Sequence, residues 1–179
     1  MGYRHDREDI VRAGIEVVLT DGLGALSFGK VAKALDISDR MVVYYFSSKD
    51  VLITSIVSEM GAQLQELLEG AFPSEASADE LMRTAWPILA SSKVDALMAV
   101  YFEIVGLASA KKEPYVGLSA TLVEAWVEWI GERVVADGPA ERRRLALSVV
   151  ARIDGLLMVR QVCGARAAND AARALGIID

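Results

Sequence analysis

A single cysteine, Cys163, leaves this chain of 179 residues without an intramolecular disulfide or a multi-cysteine metal site. The only histidine, His5, lies in a charged leader, so neither a His-based metal cluster nor a supported catalytic triad can be assembled. Four prolines and few alternating β-branched runs argue against a sheet. No apolar run is long enough to span a bilayer. The opening Met1-Gly2-Tyr3-Arg4-His5-Asp6-Arg7-Glu8-Asp9 lacks the apolar centre of a secretory signal, and a cytoplasmic location is expected. No cofactor or metal site, no membrane partner and no enzymatic activity are expected.

What the chain has is apolar content, 53%, with long stretches of Ala, Leu, Val and Glu. That is enough to fold a helical core and disfavours disorder over most of its length. The net charge of −6 at first disfavours a polyanionic partner. It is unevenly spread: residues 1–52 hold seven Lys/Arg against eight Asp/Glu, and the rest hold twelve against seventeen. The first segment is therefore nearly neutral, and a local basic rim is compatible with phosphate contacts.

Helical spacing of Ile10, Ala13, Gly14, Val17 and Val18 predicts a first helix from Asp6 to about Asp21, stopped by Gly22-Leu23-Gly24. Ser27 fits the N-cap of a short helix reaching Leu35, and Ser38 that of another reaching Tyr45. Ser47-Ser48 precede a long helix from Lys49, striped by Leu52, Ile56, Met60, Leu64, Leu67 and Leu68 as far as Gly70. Residues 71–77 read as a loop. Further helices are predicted at 78–91, kinked by Pro87, and at 94–110, 115–136, 140–163 and 167–176. The expected fold is all-α, with about nine helices. A three-helix head over 1–52 precedes a helical body over 53–179.

Residues 27–46 read as helix, turn and recognition helix: Val31, Ala32, Leu35, Ile37 and Val42 pack inward, leaving Ser38, Asp39, Arg40, Met41 and Tyr44 outside. A major groove admits such a helix. Ser27-Phe28-Gly29-Lys30 also fits a Ser-x-x-Lys pattern, but the motifs that accompany it in acyl-transfer enzymes are missing, so Ser27 reads as a cap.

Leu35 through Phe46, followed by Ser47-Ser48-Lys49-Asp50-Val51-Leu52, resembles the tetracycline-repressor (TetR-like) family of bacterial regulators over residues 6–56. Asp36 stands where that family usually has Gly, and Val43 where Tyr is common. The resemblance implies a dimeric regulator binding a pseudo-palindromic DNA operator. Ser38, Arg40 and Met41 would then meet base edges, and Tyr44, Tyr45 and Lys49 would hold phosphates. Asp39 is expected to act as a helix N-terminal charge or to accept from cytosine.

In the body, Met82, Trp86, Met98, Tyr101, Phe102 and Trp126 are candidates to line an effector pocket for a small, mostly apolar molecule, beside the proline at 87. For most of them the alternative is a place in the core. Glu103 and Asp154 interrupt apolar helices and could meet a cationic ligand, solvent or an arginine. Helix 140–163 carries apolar residues on more than one face, and Leu145, Val149, Ile153 and Leu156 are expected at a homodimer interface, the alternative being a helix central to its own bundle. Ligand-responsive repression is the leading reading; a constitutive DNA-binding regulator and a small helical ligand-binding protein or enzyme are the alternatives.

Overall fold

The computed structural model describes residues 5–179; the leader residues Met1, Gly2, Tyr3 and Arg4 lie outside them. Among the described residues there are nine α-helices and no strand. The chain divides into two compact units, one ending at Leu64 and the other beginning at Gln65, so the division falls inside the fourth helix.

In the first unit, α1 (Arg7–Asp21) starts from a reciprocal cap. The Asp6 carboxylate accepts from the Asp9 amide at 2.9 Å, and the Asp9 carboxylate accepts from the Asp6 amide at 3.3 Å. It ends at Gly22, whose φ of 82° suits a residue without a Cβ, and a 3-10 turn follows at Leu23–Ala25. The Ser27 hydroxyl accepts from the Lys30 amide at 3.2 Å to start α2 (Phe28–Ala34), a use that bears out the cap reading. Between α2 and α3 (Asp39–Tyr45), Asp36 takes φ 54°, the left-handed conformation that glycine would adopt without strain. Ser38 occupies the N-cap of α3, yet its hydroxyl makes no capping bond. Ser48 does cap, accepting from the Val51 amide at 3.2 Å as α4 (Lys49–Glu69) begins. Ile10, Val18, Val31, Val42, Phe46, Leu52 and Ile56 are fully buried. A Cβ on Gly14 would stand 2.4 Å from the Ile56 Cδ1, so α1 and α4 pack too closely there for a side chain.

The second unit contains the end of α4, α5 (Ala78–Leu89), α6 (Ser92–Ser109), α7 (Tyr115–Gly131), α8 (Pro139–Cys163) and α9 (Ala165–Ala174). Pro87 sits two residues before the end of α5, in its last turn. Leu67, expected in the buried stripe of α4, is 52% exposed. The helix expected over 115–136 ends at Gly131 instead. Beyond it the backbone pairs with the 71–77 segment: the Ala76 amide donates to the Arg133 carbonyl at 2.9 Å, and the Val135 amide to the Ala76 carbonyl at 3.0 Å. Both partners satisfy polar backbone that a buried loop would otherwise leave unpaired.

Side-chain pairs fix α8 against three neighbours. Arg143 holds the Glu124 carboxylate of α7 by both oxygens, and Arg152 donates to Asp79 of α5 at 2.8 Å. Arg160 grips Asp95 of α6 at 2.6 and 2.9 Å. The bond from the Tyr101 hydroxyl to Asp154 joins α6 to α8 again. Six residues forward on α6 correspond to six backward on α8, so these two helices run antiparallel.

Candidate functional site

The exposed side of α3 is built on a buried base. Val42 and Phe46 are inaccessible to solvent, while Ser38, Asp39, Arg40, Met41 and Tyr44 are exposed, Tyr44 by 81%. Spacings of three and four residues set Arg40, Met41 and Tyr44 on one face. The Tyr44 ring stands edge-on to Tyr45, with centroids 5.1 Å apart. Val43, on the same short helix, is 48% exposed and adds an apolar surface that the sequence reading did not count.

Two of the expected contact residues also make contacts within the head. The Tyr45 hydroxyl, half-buried, donates to the His5 carbonyl at 3.3 Å and ties the start of the chain to the end of α3. A carboxylate oxygen of Asp39 lies 3.3 Å from where a Gly29 Cβ would be, so this side chain leans onto the first turn of α2. There its negative charge complements the amino end of that helix.

The pairing of cations sorts the head's charge. Lys30 binds Asp21 at 2.8 Å, and Arg12 binds Asp9 at 3.2 Å. Arg7 lies over the Phe46 ring at 4.9 Å and donates to the Ser55 hydroxyl at 2.7 Å. Among the described residues of this unit, Lys33, Arg40 and Lys49 carry no such partner; all three are exposed. Lys33 was missed in the sequence because nothing about a single Lys on a short helix distinguishes a free cation from a paired one.

In the second unit, Met82, Trp86 and Met98 are buried, with Trp86 only 1% exposed, while Tyr101, Phe102 and Trp126 are half-buried. The structure brings Tyr101 and Phe102 together, ring centroids 5.3 Å apart. Trp126 joins a different group: its ring meets Trp129 at 5.5 Å, Trp129 meets Phe72 at 5.1 Å, and the Arg133 guanidinium lies over Trp129 at 4.1 Å. Glu69 receives both the Trp129 indole N–H, at 3.2 Å, and Arg133, at 2.6 Å. Hydrogen bonding from Arg133 holds its carboxyl below the usual range. A polar cleft of about 350 Å³ lies beside this group, lined by Glu69, Phe72, Pro73, Ser74, Glu132 and Arg133; none of the six expected pocket residues lines it.

Asp154 meets no arginine. The Tyr101 hydroxyl donates to its Oδ2 at 2.8 Å. Burial raises the Asp154 carboxyl above its ordinary range, a rise the Tyr101 bond only partly offsets. Burial first, then the charge and hydrogen bond of Asp154, push the Tyr101 hydroxyl up as well. The indole N–H of Trp86 is buried and has no acceptor.

The expected dimer residues are placed differently. Val149, Ile153 and Leu156 are 2, 8 and 3% exposed within a single chain, and Leu145 is half-buried. Their bulk fills the chain's own core, leaving little surface for a partner. The opposite side of α8 carries Leu147, Ala151, Gly155, Met158 and Val162, all exposed, with Met158 at 52% and Val162 at 79%. The two-faced pattern was visible in the sequence; which face a chain buries by itself was not.

Comparisons with known proteins agree with this geometry. Residues 10–56 match the family model described as bacterial regulatory proteins, tetR family. The HTH-type nicotine-responsive transcriptional repressor HdnoR of Paenarthrobacter nicotinovorans is 27% identical over 162 residues, covering 88% of this chain and 80% of that protein. Among solved structures, a putative TetR-family transcriptional regulator from Rhodococcus sp. matches with a TM-score of 0.75 at 16% identity, over 96% of this chain and 97% of the other. The multidrug binding protein EbrR complexed with malachite green matches with a TM-score of 0.72 at 20% identity, over 98 and 99%. Among the described residues no helix is long and apolar enough to cross a membrane.

Proposed function

Because the chain belongs to the tetR family of bacterial transcriptional regulators, we propose that it is an operator-binding repressor released from DNA by a small organic effector. The observation that carries the DNA half of this reading is the exposed face of α3. Arg40, Met41 and Tyr44 project from a base of buried Val42 and Phe46, in a head whose unpaired cations include Arg40, Lys33 and Lys49. Arg40 can bind guanine O6 and N7 through two of its N–H donors, while Lys49 and the amino end of α4 suit phosphates. Ser38, whose hydroxyl is not used as a cap, is available to a base or phosphate. Tyr44 offers its hydroxyl to phosphate, whereas Tyr45 and Asp39 support the frame.

Effector release is supported by likeness. The relative named above is described as nicotine-responsive, and EbrR binds malachite green. In this chain the effector would sit in the second unit among Met82, Trp86, Met98, Tyr101 and Phe102. Linkage requires that operator and effector weaken each other by one factor, commonly about 5- to 150-fold.

The partner copy is assigned to the exposed stripe of α8. Residues 147, 151, 155, 158 and 162 recur every three or four positions and so form one line on the helix. All five are uncharged, and the small Ala151 and Gly155 at the middle would let the same helix of a second subunit cross closely. A twofold arrangement then presents two heads to two half-sites.

Selection of bound fragments from genomic DNA, followed by footprinting, tests the DNA half. Retention of no fragment above background would refute operator binding. If an operator is found and the native effector, sought in a metabolite extract, does not release it, the protein is a constitutive regulator.

A further inference from the structure

Three arginines of α8 each face an acid on another helix: Arg143 with Glu124, Arg152 with Asp79 and Arg160 with Asp95. Asp154, on the same helix and half-buried, is paired with no cation among the described residues; its hydrogen bond comes from the neutral Tyr101. A partly buried carboxylate without a counter-charge costs the fold free energy, a cost that a cation bound beside it would offset.

The indole N–H of Trp86 is a second incomplete group, nine-tenths buried and without an acceptor. Its position follows from the pairs that pin α5. The start of α5 is held to Arg152 through Asp79, and its end leads through Ala90 and Ser91 into α6, which is held to Arg160 through Asp95. The helix that carries Trp86 is therefore pinned along the part of α8 between Arg152 and Arg160, eight residues or roughly 12 Å of helix. Asp154 belongs to that same stretch. Tyr101 and Phe102, half-buried and in ring contact, supply aromatic surface from α6.

We propose that the effector of this protein is an organic cation bearing a hydrogen-bond acceptor, its protonated nitrogen held by Asp154 and its acceptor by the Trp86 indole. This rests on the reading of the second unit as the sensor, and it names the ligand class. Tyr101 keeps the carboxylate oriented through Oδ2, leaving Oδ1 for the ammonium group. Phe102 and the Tyr101 ring face the cation's aromatic or alkyl frame, where a ring face adds attraction for positive charge.

The test uses the full chain and two flat aromatic probes of similar size: proflavin, a cation, and acridone, which is neutral. Affinities are measured by fluorescence titration for wild type, Asp154→Asn and Trp86→Phe, and the release of selected operator DNA is followed in parallel. Asp154→Asn retains an acceptor for Tyr101 but removes the charge. Wild type should prefer proflavin by at least about tenfold, and Asp154→Asn should erase that preference while changing acridone binding by less than about twofold. Trp86→Phe should weaken acridone, whose carbonyl can accept from the indole, more than proflavin, which as a cation offers no good acceptor, and should leave the preference for the cation. Equal binding of the two probes by wild type, or equal losses of both in Asp154→Asn, would overturn the proposal. Release of the operator by acridone as effectively as by proflavin would also overturn it, yet would leave the sensor reading standing. Binding of proflavin through Asp154 with no release of DNA would support the ligand class and refute regulation through it.

Discussion

The close approach of α1 to α4 gives a prediction whose sign depends on one atom. Gly14 lies inside α1, where Ala would by helix propensity alone be favoured by about 1 kcal/mol. An added Cβ, however, would stand 2.4 Å from the Ile56 Cδ1 and 2.9 Å from its Cγ1. Ordinary carbon contacts lie at about 3.5–4.0 Å, so Ile56 would have to retreat by more than about 1 Å. It is completely buried and has no solvent to swing into. Overpacking of this kind costs about 1–3 kcal/mol, so Gly14→Ala should come out between neutral and about 2 kcal/mol destabilising after the propensity gain. The coupling is the sharper quantity. Ile56→Val alone should cost about 0.5–1.5 kcal/mol, but in the Gly14→Ala background it removes the worst clash and should cost less or stabilise. We expect a coupling of about 1 kcal/mol or more. Native-state hydrogen exchange of the α1 and α4 amides measures it in the unit concerned, since urea unfolding of a two-unit chain need not be a single transition. Additivity within about 0.3 kcal/mol, or a Gly14→Ala protein that gains the full propensity term, would refute the reasoning.

Asp36→Gly should stabilise the head by about 1 kcal/mol, because the left-handed backbone at φ 54° strains any residue with a Cβ; unchanged exchange protection of α2 and α3 would contradict this. Arg40→Ala should cost about 1–3 kcal/mol of specific operator binding and relax preference at one base pair per half-site. Lys33→Ala and Lys49→Ala should instead weaken all DNA alike and flatten the salt dependence by about one unit each, as read from binding at several salt concentrations. Met158→Glu should dissociate the dimer in sedimentation while the far-ultraviolet circular dichroism stays helical, whereas Leu156→Glu should unfold the body. Asp154 holds its proton more tightly when folded, so wild type should lose stability relative to Asp154→Asn as pH rises from the ordinary carboxylate range through the raised value; thermal melts at several pH values would show a constant difference if the carboxyl were unperturbed.

The legible parts of the sequence were those decided by neighbours within one helical turn. Ser27 and Ser48 cap where local spacing placed them, and Gly22 closes α1, while Asp6, read as the first helical residue, turned out to be the cap. Ser38 shows the limit, since it holds the cap position without making the bond. The end of α7 was misjudged because the residues after Gly131 pair with Ala76, more than fifty positions earlier, and no local pattern announces such a partner. Tyr101 and Asp154 meet across a similar separation. The apolar positions of α8 lie on more than one face, but periodicity counts faces without saying which neighbour, if any, covers each. Likewise, the sequence displays every cation of the head, and only the placement of Asp9, Asp21 and Phe46 reveals which are already spoken for.

Asp154 and Gly155 are consecutive on α8, the one facing Tyr101 and the other on the exposed stripe assigned to a second copy. A rotation of α8 that improves the grip on a ligand therefore turns Gly155 and Met158 by the same angle against the neighbouring subunit, which must match it or lose packing. Mixed dimers, with one subunit filled, would be the strained species. Occupancy of the two sites should rise together, giving effector curves steeper than a simple hyperbola, with a Hill coefficient above one and no higher than two, the number of sites in a dimer.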